Sequence, residues 1–293
     1  MRTCYMTQRV ELPEATTATQ QLLNMWVHGK SAHTALLYRR SAKRFLEFVG
    51  KPLHLVSLAE VQAFADNLAQ GKLKASSQRS ILCAVKSLLS FATLTGVLPV
   101  NVGALVVTPK AKDILNEKLL SELEVMTMIA QETDVRNRAI LRTLYLLGLR
   151  VSELCDLKWK DLQARSNGGQ LTVFGKGSKT RIVLVPASLW VELMQLRGNA
   201  GNEQPMFRSR KHNHEGHLSR IAVYEVVTEA AIRAGIKRKV SPHFLRHAHA
   251  SHSLDRGAPI HLVQQTLGHA SVSSTSRYLH ARPTDSSSLY LPG

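Results

Sequence analysis

The 293-residue chain carries 38 Lys and Arg against 21 Asp and Glu, a formal charge of +17, with 44% apolar and 20% charged residues. That balance suits a folded protein with one large core or two ordinary ones, argues against wholesale disorder, and points to a polyanionic partner, nucleic acid first. No apolar run approaches the roughly 20 residues of a bilayer span, the N-terminal stretch lacks a signal peptide's apolar segment, and three cysteines without CxxC spacing indicate neither a disulfide framework nor a thiolate zinc site, so a reduced, cytoplasmic chain with no membrane partner is expected.

In chain order, a polar leader precedes "SAHTALLYRRSAKRFLEFVG", where Ser31 can cap a helix, Leu36, Leu37, Phe45 and Phe48 recur near helical spacing and Gly50 ends the run. "SLAEVQAFADNLAQG" opens with Ser57 and Glu60 in capping-box spacing, and "SSQRSILCAVKSLLSFATLTG" predicts a third helix from Ser76 or Ser77 to Gly96. Arg39, Arg40, Lys43 and Arg44, with Arg79 and Lys86, place positive charge on the polar faces of this helical unit. Pro109 with Lys110 and Lys112 reads as a boundary, giving an N-terminal domain over 1–108, a linker over 109–117 and a second domain over 118–293. There, Ser121 and Glu124 open another helix, and an apolar one stops at Gly148. "QLTVFGKGSKTRIVLVP" changes the period and predicts two strands joined by a tight turn at Gly175, Gly177 and Ser178, after which helical patterns return from "SRIAVYEVVTEAAIRAG" onward.

Within the second domain, Arg150 in "LLGLRVSEL" falls in the turn between two helices, and Lys176 sits between glycines at the hairpin tip. That loop is not a phosphate-binding Walker loop, because GxxxxGK[ST] is absent and a strand follows it. In "SPHFLRHAHASHSLDRG" Ser241 can cap a helix, Pro242 suits its first turn, and His243 and Arg246 share one face. His243 and His247 have i,i+4 metal-ligand spacing, but no HExxH glutamate accompanies them, and no metal or other cofactor is expected. His269 follows the helix end at Gly268, and "SVSSTSRYLH" leads to Tyr278.

This ordered set closely resembles the signature of the tyrosine recombinase (phage integrase) family: Arg, Lys, His-x-x-Arg, His or Trp, then Tyr. Here it reads Arg150, Lys176, His243, Arg246, His269 and Tyr278, with Glu153 at the family's acidic position after the first arginine. The resemblance spans the whole second domain, and the N-terminal unit resembles the family's core-binding, SAM-like domain through its architecture. It implies a mainly α fold with a small antiparallel β-sheet in the C-terminal domain, a two-domain DNA clamp of the tyrosine recombinase type.

The implied enzyme is a compact, Xer-like site-specific recombinase, a DNA strand transferase that needs neither metal nor ATP. Tyr278 would be the nucleophile that forms a 3′-phosphotyrosyl link, Arg150 and Arg246 the forks on the phosphate, Lys176 the general acid, His243 the candidate base, His269 a phosphate donor and Glu153 the residue that orients the cluster. Lys179, Arg181, Ser274 and Thr275 join the basic helix residues as expected DNA contacts. Partners implied are double-stranded DNA carrying specific recombination sites and a tetramer of this chain, or a related recombinase, in synapsis. The apolar end, Leu289, Tyr290 and Leu291, is expected to dock on a neighbouring protomer. Two rivals remain open: a type IB topoisomerase with a similar residue set, and a DNA-binding regulator that no longer cuts.

Overall fold

The protein divides into two compact units, Met1–Lys112 and Asp113–Gly293. The structure, a computed structural model, describes residues 15–109, 119–175, 180–210 and 216–269, together with Ser271, Thr275, Ser276 and Tyr278. The C-terminal residues Leu289, Tyr290 and Leu291 lie outside the described residues, as do Lys176, Lys179 and Ser274.

The first unit is built from α1 (Ala15–Val27), α2 (Ala32–Val49), α3 (Leu58–Gln70) and α4 (Ala75–Leu94). Ser31 accepts from the Thr34 amide to start α2, and Gly50 ends it in the left-handed conformation at φ 66°. Ser57 and Glu60 form the capping box of α3, the Ser57 amide donating to Glu60 Oε2 at 2.8 Å. Helix α4 starts slightly earlier than its serines suggest, with Lys74 as its cap residue. The core gathers Trp26, Phe45, Phe64, Leu68, Leu82 and Leu88. Phe45 and Phe64 meet edge to face with centroids 5.1 Å apart.

Helix α1 corrects the expectation of a polar leader. It opens on "ATTATQQ", which holds no large apolar residue, yet Leu22, Leu23, Trp26 and Val27 fall at helical spacing and all enter the core. Trp26 is held on both sides: its ring stands edge-on to Tyr38, and its Nε1 donates to Ser87 Oγ at 3.1 Å.

The second unit contains α5 (Glu122–Ala130), α6 (Val135–Leu147), α7 (Val151–Asp156), β1 (Leu162–Arg165), β2 (Gly168–Phe174), β3 (Thr180–Val185), α8 (Ala187–Arg197), α9 (Arg220–Arg233), α10 (Pro242–Asp255) and α11 (Ile260–Leu267). The strands form an antiparallel sheet in the order β1-β2-β3, with Leu171 opposite both Leu162 and Val183. Leu171, Val173, Val183 and Val185 bury one face, whereas Phe174, Ile182 and Leu184 stay exposed. Two elements were not anticipated: β1, whose "LQAR" carries a single buried residue, and α8 directly after the sheet.

Helix α10 runs through the centre of this unit, with Leu245, Arg246, Ala248, Ala250, Ser251 and His252 buried. Two of its histidines are structural. His249 Nδ1 lies 2.8 Å from the Tyr145 carbonyl, and burial pushes its pKa down to about 4. His252 bridges the Tyr145 hydroxyl and the Leu120 carbonyl, each at 3.0 Å. Ser241 and Pro242 open α10 at its N-terminus, the position their chemistry favours.

Because Trp26 is 4% exposed and fills the seam between α1 and α4, Trp26→Ala is expected to cost about 3–5 kcal/mol, read as a lower urea midpoint for the unit.

Candidate active site

Two helix C-termini, those of α6 and α11, organise the site. Helix α6 ends at Gly148, left-handed at φ 60°, and α11 ends at Gly268, left-handed at φ 63°. Glycine is required at position 148 for a second reason: an added Cβ would come within 2.8 Å of both His249 Cδ2 and Leu267 Cδ2. Each end leaves backbone carbonyls without helical partners, and these attract cations.

Arg246, 4% exposed, fills that role from α10. Its Nη1 donates to the Gly148 carbonyl at 2.5 Å and its Nη2 to the Leu267 carbonyl at 2.6 Å. Burial and the neighbouring Arg150 charge pull its pKa down to about 9, which leaves it charged at neutral pH.

Arg150 is the cap residue of α7. Its amide donates to Glu153 Oε2 and its Nη1 to Glu153 Oε1, both at 2.8 Å, while Nη2 reaches the Gly268 carbonyl at 3.2 Å. Arg181 on β3 grips the same carboxylate with both terminal nitrogens at 2.8 Å, and its Nε donates to the Thr266 carbonyl at 2.7 Å. Glu153 is therefore buried with both oxygens engaged. Burial alone would raise its pKa; the hydrogen bonds from Arg181 and Arg150 outweigh that and bring it from 4.5 to about 2.

His269 follows Gly268, with its amide donating to the Gln264 carbonyl at 3.1 Å. Burial, then the charges of Arg246, Arg150 and Arg181, lower its pKa to about 4, so the imidazole is neutral at pH 7. Its Nδ1 lies 2.9 Å from Thr275 Oγ1.

Tyr278 is 5% exposed and shares a small apolar cluster with Leu119, Ala250, Val263 and Leu267. Its hydroxyl is 2.7 Å from His247 Nδ1, with the two ring centroids 5.7 Å apart. The phenol lies close enough to Arg246 for its ionised form to raise that guanidinium's pKa. His243 is exposed one turn before His247, the two ring centroids being 6.5 Å apart.

Of the residues expected in the site, Arg150, Glu153 and Arg246 are joined directly or through the carbonyls at these helix ends, His269 follows Gly268 within reach of their charges, and Tyr278 packs beside Leu267. Three expected DNA contacts are placed differently. Arg181 is committed to Glu153 and Thr266 and is mostly buried. Thr275 is fully buried against His269. Lys86 donates to the carbonyls of Ala104 at 3.2 Å and Val106 at 2.5 Å, tying down the segment that follows α4. Arg40, Lys43, Arg44 and Arg79 are exposed, Arg39 is partly so, and Lys43 pairs with Glu47 at 3.7 Å.

Sequence reasoning missed Arg181 as a member of the cluster. The signal was present: Arg181 is in phase with the buried Val183 and Val185, so period-two alternation turns it inward. The i,i+4 spacing of His243 and His247 suggests only metal ligation, whereas the structure sets His247 on the phenol. Among the described residues no group of three or more His, Cys, Asp or Glu could hold a metal ion.

The chain is similar to known proteins along most of its length. Residues 116–285 match the phage integrase family, and residues 19–92 match the phage integrase N-terminal SAM-like domain. Tyrosine recombinase XerC of Xylella fastidiosa (strain M23) is 33% identical over 262 residues, covering 86% of this chain and 87% of that protein. Tyrosine recombinase XerD of Vibrio cholerae is 32% identical over 288 residues, covering 92% of each chain. The fold is similar to that of a lambda integrase dimer bound to a COC′ core site, with a TM-score of 0.69, 19% identity, and 95% of this chain and 84% of that one covered. The chain belongs to the phage integrase family. It is a site-specific tyrosine recombinase, a DNA strand-transfer enzyme.

Removing the charge of Glu153 leaves two guanidinium groups without their shared carboxylate. Glu153→Gln is expected to destabilise the second unit by on the order of 3 kcal/mol. The carboxylate's contribution is full above its unfolded value of 4.5 and is lost as pH falls through about 2. Urea melts between pH 5 and about 2 should therefore show a steeper acid loss in the parent protein than in Glu153→Gln.

Proposed function

We propose that this recombinase cuts and rejoins double-stranded DNA at specific sites through a covalent 3′-phosphotyrosyl link made by Tyr278. The observation that carries the reading is the gathering of Arg150, Arg246 and His269 at the ends of α6 and α11, with Tyr278 packed beside Leu267. A phosphodiester under attack gains charge on its non-bridging oxygens, and preorganised donors that stay charged lower the barrier most. Arg150 and Arg246 supply planar forks for those oxygens. Phosphate would compete with the helix-end carbonyls for the same N–H groups.

His269, held neutral, adds a donor without a further cation. A neutral imidazole has one N–H, and Thr275 decides which nitrogen bears it: when the Thr275 hydroxyl donates to Nδ1, Nε2 carries the proton and can donate to phosphate. Thr275 is thus a positioning residue. Lys176 is the proposed general acid toward the departing 5′-oxygen, and Glu153 with Arg181 holds Arg150 in place.

The phosphotyrosyl link conserves the energy of the broken bond, so rejoining requires neither ATP nor a metal. Four protomers would join two sites in synapsis, in the cytoplasm, with Arg40, Lys43, Arg44 and Arg79 making phosphate contacts that weaken steeply with salt. His243 remains beside this site as an exposed imidazole. A topoisomerase of similar chemistry would relax plasmids that lack a recombination site, and a non-cutting regulator would form no adduct.

On a nicked suicide substrate the parent protein is expected to accumulate a covalent protein–DNA species that Tyr278→Phe does not form. An adduct that survives Tyr278→Phe would overturn the assignment of the nucleophile. Thr275→Val, which keeps the buried shape but loses the hydroxyl, is expected to slow adduct formation about tenfold, on the order of one hydrogen bond, while Thr275→Ser stays near the parent rate in the same assay.

A further inference from the structure

Tyr278 can attack phosphorus only after giving up its phenolic proton, because a phenol of ordinary pKa near ~10 is a poor nucleophile at neutral pH. The family resemblance nominates His243 for that task. The geometry nominates another residue. His247 Nδ1 stands 2.7 Å from the Tyr278 hydroxyl, within the reach of about 2.6–3.2 Å that a general base requires.

The placement follows from helix α10. Positions 246, 247 and 250 lie on adjoining parts of its surface. Arg246 turns to the helix-end carbonyls, and Ala250, fully buried, lies in the apolar cluster that holds the phenol ring. His247 stands one turn before Ala250 and meets the phenolic oxygen. Among the titratable and charged groups near it are Tyr278, His243 at a ring separation of 6.5 Å and its sequence neighbour Arg246.

We propose that His247 takes the phenolic proton from Tyr278 during cleavage and returns it during rejoining, an inference that rests on Tyr278 being the nucleophile. In the accepting tautomer Nε2 bears the ring proton and Nδ1 presents its lone pair to the hydroxyl. As the O–H bond of Tyr278 breaks, its proton passes to Nδ1 and the oxygen's electron pair forms the bond to phosphorus. The bond from phosphorus to the 5′-oxygen breaks with its electron pair on that oxygen, which takes a proton from the proposed general acid, Lys176. Rejoining reverses each step: the 5′-hydroxyl attacks, Lys176 recovers its proton, and the imidazolium of His247 returns one to the departing phenolate. The scissile phosphate's negative charge offsets the cost of forming that imidazolium beside Arg246.

The test is the rate of adduct formation on a nicked suicide substrate, measured by rapid quench from pH 7 to about 9.5. His247→Asn sets an amide oxygen near the place of Nδ1 and preserves hydrogen bonding but cannot accept the proton. It is expected to react about a hundredfold more slowly at pH 7, and the deficit should shrink about tenfold per pH unit as the phenol ionises unaided toward ~10. His247→Gln provides the same reading should the first variant fold poorly. A variant within about threefold of the parent rate, or a deficit that stays constant across pH, would overturn the proposal. Tyr278→Phe separates the two levels: an adduct formed by that variant removes the nucleophile assignment itself, whereas a dead Tyr278→Phe beside a fast His247→Asn removes only the base.

Discussion

The site depends on one buried carboxylate. Glu153 receives four hydrogen bonds from Arg150 and Arg181, and a third guanidinium, Arg246, sits nearby on the carbonyls of Gly148 and Leu267. Like charges brought together in a poorly hydrated place repel unless fixed negative charge or dipoles oppose them. Here a carboxylate and two helix ends provide that opposition. The carboxylate can do so only while ionised, and the donors around it keep it ionised. The result is a cationic floor with more positive than negative charge.

The same cations set the chemistry of their neighbours. His269 is neutral because it is buried beside three guanidinium groups. Tyr278 occupies an apolar seat next to that charged floor, so its hydroxyl must find a polar partner locally, and His247 provides one. Arg246 and His247, adjacent in sequence on one helix, are thereby directed to different neighbours, the helix-end carbonyls and the phenol.

Much of this was legible beforehand because it is local. The caps at Ser31, Ser57 and Ser121, and the left-handed glycines 50, 148 and 268, act over three or four residues, and each could be read from its own neighbourhood. The order of Arg150, His243, Arg246, His269 and Tyr278 was legible through family resemblance. What escaped was non-local or weakly patterned. Helix α1 hides four core residues in a polar stretch, and β1 has one. Arg181 looks like a solvated hairpin cation until its carboxylate partner, 28 residues earlier, is brought beside it by folding. Thr275 reads as a helix-starting or phosphate-binding residue, and only its complete burial against His269 assigns it elsewhere. Lys86 likewise reads as a polar-face cation, and its carbonyl partners become visible only once the following segment folds back over α4.

Leu119 lies where the polypeptide enters the second unit, and it belongs to the cluster on which the Tyr278 ring rests; the next residue, Leu120, accepts from His252 of α10. The footing of the Tyr278 ring is therefore shared between the start of the unit and its helices α10 and α11. A change at Leu119 therefore alters the surface beneath the phenol, although the two residues stand near opposite ends of the unit in chain order.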